Sequence, residues 1–403
     1  MKNKSTLIII FLTIFIDLLG FGIIMPLLPS FSVKVLHINE ITIGLMVGIY
    51  SLMQFFFSPV WGSLSDKYGR KPVLVMSLLG SVVSNLLLAF VFSGIILSAF
   101  LFITARAFAG IFAANISAAQ AVISDVTSPE ERTRGISLIS AAFALGFVFG
   151  PAVGGILSEH FGYAFPVYVS AILSLIAALM CIFVFKETLP EETRMKNRLN
   201  KKITNPLNFR NFYSAISNKS FGIYIIVFFT AVFSFSNIFG TIQLFAGRPE
   251  GLNMNQAEIG YLFSYMGITG GLVQIFIINF FKRFIGEENS VILGSFIAIF
   301  GLGLIGFSES VPFLLIVIAL LSLGNGMNNT VAVSLISQKA GKENQGSVLG
   351  INQSLGSLAR FFGPVCGGFV YHYFGYKFPF ITGGFFMLLI TVYSFIVLKK
   401  RNR

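Results

Sequence analysis

Charge is what this sequence has least of: Asp, Glu, Lys and Arg make up 11% of its 403 residues, against roughly a quarter in soluble domains. With 55% hydrophobic residues and a mean hydropathy of +0.84, water is excluded as the main solvent. Cysteine is nearly missing. Cys181 and Cys366 both sit in apolar stretches, which excludes a disulfide framework. The three histidines, His37, His160 and His372, lie far apart and lack metal-ligand spacing, so no metal site is expected. There is no Gly-x-x-x-x-Gly-Lys-Ser/Thr run and no nucleophile constellation, so neither a cofactor nor an enzymatic activity is implied. The formal charge of +12 is scattered over short connectors and makes no continuous basic surface, which excludes a nucleic-acid partner.

What is present is apolar length. Runs bounded by charge, Gly or Pro predict twelve membrane spans near 6–30, 41–63, 72–92, 95–120, 133–158, 164–186, 219–246, 256–281, 290–308, 311–336, 343–371 and 376–398. Lys2 and Lys4 precede the first run, which lacks a small-residue cleavage site and reads as a retained helix. With both termini in the cytoplasm, 23 of the 28 Lys and Arg residues fall in inside connectors. Lys34, Arg248 and Lys377 fall outside, and Arg106 and Arg360 within spans, so the orientation follows from the positive charge. The expected class is an all-α, multi-pass protein of the inner cell membrane, monomeric, with the lipid bilayer as its surroundings.

The one long polar stretch, 187–218, reads as a solvated cytoplasmic linker between a bundle over 1–186 and a second over 219–403. An internal repeat supports that division. Gly150-Pro151-Ala152-Val153-Gly154-Gly155 recurs as Gly363-Pro364-Val365-Cys366-Gly367-Gly368, and Phe161-Gly162-Tyr163 recurs as Phe374-Gly375-Tyr376, both at an offset of 213 residues. Two six-helix bundles of the same orientation place a solute path between them.

Ionisable groups inside a membrane are costly, about 2.5–3.5 kcal/mol each at a helix centre, so they point to function. Asp17, midway along span one, is a candidate to carry a proton or to pair with a cation; the alternative is a structural hydrogen bond to backbone opened by Gly20 and Gly22. Arg106 in span four cannot release its proton and would act electrostatically, or pair structurally with Asp17. Arg360 in span eleven is a candidate for the substrate cavity, together with Gln54, Asn115, Asn237, Gln243 and Asn328, although some of these polar groups will only join helices.

Gly62-Ser63-Leu64-Ser65-Asp66-Lys67-Tyr68-Gly69-Arg70-Lys71-Pro72, on the inside connector after span two, resembles motif A of the major facilitator superfamily. Arg106 to Gly110 resembles its motif B. The glycines of span five, Gly146, Gly150, Gly154 and Gly155, with Pro151, resemble the antiporter motif of its twelve-helix drug:proton exporters, among which the bacterial tetracycline/proton antiporters are most similar. The resemblance implies a major facilitator fold and proton-coupled efflux of lipophilic, drug-like or cationic small molecules by alternating access. It implies an inside gate in which Gly62, Asp66, Gly69, Arg70 and Asp125 act, with Arg70 paired to Asp125 and Asp66 facing 343–345. Capping of span four by Asp125 or Thr127 is the alternative. It also implies proton coupling through Asp17 and Arg106, and a role for the span-five motif in blocking leak, beside simple helix packing.

The sequence departs from the tetracycline exporters in two places. Their third helix carries an acid where this chain has Ser84 and Asn85, and their ninth carries one that 290–308 lacks. The second copy of motif A, around Phe281 to Glu288, keeps charge but not the pattern, so two equivalent gates are not expected. A nutrient or metabolite carrier and a non-transporting sensor remain the other readings.

Overall fold

The computed structural model describes residues 4–113, 116–127, 132–200, 209–341 and 345–401, and every regular element among them is a helix. Eleven stretches among the described residues are long and apolar enough to cross a membrane. Helix α17 (Gln345–Phe374), with 30 residues, reaches about 45 Å and is also long enough. Gln345, Asn352, Gln353 and Arg360 make it the most polar span, and it completes the twelve.

Three spans change helical character along their length, the first of them at a proline. The first consists of α1 (Lys4–Ile24) and α2 (Leu27–Lys34), because Pro26 has no N–H to continue the ladder. The fourth is described as α5 (Ala99–Phe112) and α6 (Ile116–Val126), with 114–115 outside the described residues. The seventh runs from α11 (Gly222–Ser236) through a 3-10 turn into α12 (Ile242–Ala246), and the eighth from α13 (Gln256–Leu272) through a π turn into α14 (Ile278–Ile285).

The chain packs as two units. The first contains Met1–Leu36, Ile49–Leu207 and Asn255–Ser264. In it α1 lies against α7 (Arg132–Phe161) and α8 (Ala164–Phe183), and α4 (Arg70–Phe92) lies against α5 and α8. Its core joins Leu7, Ile10 and Ile14 of α1 to Leu74 and Leu78 of α4, Val122 and Ile123 of α6, and Ala178 and Cys181 of α8. Within the polar stretch after α8, α9 (Glu191–Asn200) belongs to this unit.

The second unit contains His37–Gly48, Asn208–Met254 and Tyr265–Arg403. Here α15 (Glu287–Gly303) packs on α16 (Val311–Lys339) and α18 (Phe378–Arg401), and α11 packs on α16 and α17. The boundary falls inside two helices. The first turns of α3 (Glu40–Tyr68) belong to the second unit, and those of α13 belong to the first.

Candidate functional site

Gly69 separates α3 from α4 with φ 108° and ψ 160°, a conformation only glycine adopts readily, and a side chain there would collide with Glu187. Gly62 is different: a Cβ would make only ordinary contact with Ser117, so room does not demand glycine there. At the start of α4 the sequence sets two basic residues on the positive end of a helix dipole. Arg70 nevertheless is buried, because three carboxylates converge on it. Its Nη1 donates to Asp66 at 2.6 Å and to the Ser65 hydroxyl at 2.8 Å, and its Nε donates to Asp125 at 2.9 Å. The backbone N–H groups of Arg70 and Lys71 donate to Glu187 at 2.9 and 3.1 Å. The Thr188 hydroxyl adds a bond to Asp125 at 3.1 Å.

Thus Arg70, Asp66 and Asp125 are brought together. Thr127, the alternative cap, donates its hydroxyl back to the Ile123 carbonyl. Of residues 343–345, the expected partners of Asp66, 343 and 344 lie outside the described residues. Glu187 and Thr188 were read as part of a solvated linker; the structure instead binds that segment to the α3–α4 turn. Asn197 donates to the Asp66 carbonyl, Arg198 donates to that of Lys67, and the Arg198 guanidinium lies 5.2 Å from the Tyr68 ring. The signal was there in the sequence: Glu187 follows directly on the end of span six, and an acid is what a basic helix N-terminus needs.

The glycines of α7 form two faces. Gly146, Gly150 and Gly154 lie against Leu18, Gly22 and Ile23 of α1, so close that any Cβ on this face would meet backbone. Gly155 and the Pro151 carbonyl lie against Gln256 and Gly260 of α13. In the second unit, Gly363 and Gly367 of α17 meet Phe233 to Asn237 at the end of α11 and the start of the 3-10 turn, while Pro364 and Gly368 meet Glu40 and Gly44 of α3. The repeated hexapeptide therefore repeats a packing arrangement.

Arg106 is 3% exposed, and its Nε has no hydrogen-bond partner among the described residues. What its guanidinium meets is two rings, Tyr50 at 4.8 Å and Phe21 at 5.9 Å. Gly110, one turn further on, presses on the Tyr50 backbone and so lays that ring over the cation. Neither aromatic was singled out in the sequence. Asp17 is half-buried on α1.

The cavity candidates divide. Asn237 is fully buried and donates to the Pro379 carbonyl at 2.9 Å; Asn328, also buried, accepts from the Ser295 hydroxyl at 3.0 Å. Gln243 is buried, with neither amide atom partnered among the described residues. Gln54 and Arg360 are half-buried, the former donating to the Ala113 carbonyl and the latter to Ser357. Asn115 lies outside the described residues. In place of the missing third-helix acid, Ser84 bonds its own helix and Asn85 donates to Ser174 of α8.

The sequence matches the Major Facilitator Superfamily over residues 10–284 and 226–403. The chain belongs to that superfamily. It is 29% identical over 409 residues to multidrug resistance protein 2 of Bacillus subtilis (strain 168), covering 100% of this chain and 97% of the relative. It is 30% identical over 372 residues to the class C tetracycline resistance protein of Escherichia coli, covering 91% and 89%. Among solved structures, the human organic anion transporter MFSD10 (TETRAN) superposes with a TM-score of 0.70 at 24% identity, covering 97% of this chain and 99% of that one. The nucleoside transporter NupG superposes with a TM-score of 0.75 at 16% identity, covering 98% and 100%. This facilitator-superfamily chain is a multi-pass membrane transporter of small molecules, not an enzyme.

Proposed function

We propose that this chain exports lipophilic, drug-like or cationic molecules from the cell in exchange for protons, by alternating access. The observation that carries the reading is full-length similarity, at 29–30% identity, to a multidrug resistance protein and a tetracycline resistance protein. In this reading the chain lies in the inner cell membrane as a monomer with both termini in the cytoplasm. Its bundles are 1–186 and 219–403, with 187–218 joining them.

Asp17 takes a proton from outside and releases it inside; Arg106, a buried cation held by two rings, sets the field in which it does so. Arg70, with Asp66 and Asp125 and the Gly62–Gly69 turn, latches the inside gate. The α7 glycines and Pro151 keep the path from leaking. Gln54 and Arg360, the half-buried polar residues, face the substrate. The loss of the third-helix acid to Ser84 and Asn85 argues for a substrate other than a tetracycline–metal complex.

The test is ethidium movement in everted vesicles with an imposed pH gradient. Wild-type vesicles should accumulate the dye and lose it when the gradient is collapsed, and Asp17→Asn should abolish the coupled component. Coupled accumulation that persists in Asp17→Asn would overturn the proton assignment.

A further inference from the structure

The second unit carries a cluster that its sequence disguises. Gly286 stands 217 residues after Gly69 and has the same role and nearly the same backbone, φ 81° and ψ 167°, at the N-cap of α15. Around it the paired charges are reversed in sign. Where α4 opens with Arg70 and Lys71, α15 opens with Glu287 and Glu288. Where the end of α3 supplies Asp66, the end of α14 supplies Lys282, whose ammonium lies 2.5 Å from Glu287. Where α6 supplies Asp125, α16 supplies Lys339, 2.7 Å from Glu288.

The pairs are embedded in further bonds. The Tyr224 hydroxyl of α11 donates to Glu288 at 2.6 Å, and the Lys339 ammonium lies 5.2 Å from the Tyr224 ring. Gln338 donates its amide to Glu287 at 3.1 Å. We infer that Lys282, Glu287, Glu288 and Lys339 form a second, charge-inverted latch that acts in transport. The proposal extends the gate reading given above for Arg70 and rests on it.

Reversal of sign has physical consequences. Carboxylates in the first turn of α15 suit the positive end of the helix dipole, so this latch requires no counterpart of Glu187. Its carboxylates and ammoniums pair one to one, whereas Arg70 gathers two acids on one planar fork. All four of its charged side chains are 23–29% exposed, against 7% for Arg70. The second latch is therefore the more easily screened by salt, and the first the more rigid. Motif matching misses it because a pattern of named residues does not register an exchange of partners.

The experiment uses the full chain with Glu288→Lys, Lys339→Glu and the double exchange, reading gradient-driven ethidium flux in everted vesicles and amide exchange over 278–291 and 334–341. Each single change should lower the flux and speed local exchange by roughly five- to ten-fold, and the double exchange should restore both to within about two-fold. Lys339→Glu should show a smaller defect relative to wild type in high salt. A double exchange no better than the worse single variant would overturn the pairing. Singles that loosen exchange but leave flux unchanged would overturn the role in transport. If wild-type vesicles move no ethidium, the export reading fails for that cation, while the exchange data still decide whether the latch exists.

Discussion

The backbone N–H of Arg70 donates to Oε1 of Glu187 at 2.9 Å, across 117 positions of sequence. This carboxylate does for α4 what an N-cap residue normally does, because Gly69 at the cap has no side chain to accept a bond. Glu187→Ala should lower stability by about 0.5–2 kcal/mol. Thermal unfolding in detergent measures the loss, and amide exchange should rise at Arg70 and Lys71. Restored protection in Glu187→Asp would show that the carboxylate is responsible.

The glycines of α7 and α13 allow a paired test. A Cβ at Gly154 would meet the Ile23 carbonyl, whereas Gly270 has nothing within 4 Å of a Cβ. Gly154→Ala should cost about 1–3 kcal/mol by forcing α1 away from α7. Gly270→Ala, in a helix with room, should gain up to about 1 kcal/mol by restricting the unfolded chain. Unfolding temperatures that move in opposite directions would support a packing role for the first; equal shifts would refute it.

The twelve spans were legible because hydrophobic length is a local property. The Gly150 repeat was legible because packing constrains residue size in both units alike. Other features depended on which side chains the fold brings together. Tyr50 and Glu187 are ordinary residues in their own segments, and only the approach of α3 to Gly110 and of the polar stretch to Gly69 gives them partners. Lys339 and Glu288 were hidden for the opposite reason, since their chemistry is plain but their signs are exchanged relative to Asp125 and to the basic pair Arg70 and Lys71.

Tyr50 holds the Arg106 guanidinium at 4.8 Å in a site where the cation is 3% exposed. Removing the ring should cost about 1–2 kcal/mol, the range for a desolvated cation–π contact. Tyr50→Phe should retain most of that, and Tyr50→Leu should lose it. With Arg106→Gln as background the two Tyr50 variants should become equivalent, a convergence measured by a double-mutant cycle on thermal stability.

Tyr163, in the turn before α8, is packed by Phe31 at 5.6 Å and Phe92 at 6.4 Å. Burial, with the nearby negative charge of Glu159, pushes its phenol from 10.0 up to about 12. The folded chain therefore holds this proton more tightly than the unfolded chain does. The stabilisation is complete below pH 10, where both states are protonated, and is lost as pH rises through 10 to 12, where the unfolded state ionises first. Tyr163→Phe keeps the ring and removes the ionisation, so the variant should lose less stability than wild type over that interval. Thermal unfolding in detergent from pH 9 to about 12 would show the two curves running together at the lower end and separating above the ordinary tyrosine value. Curves that stay parallel throughout would place the phenol in contact with solvent and contradict its burial.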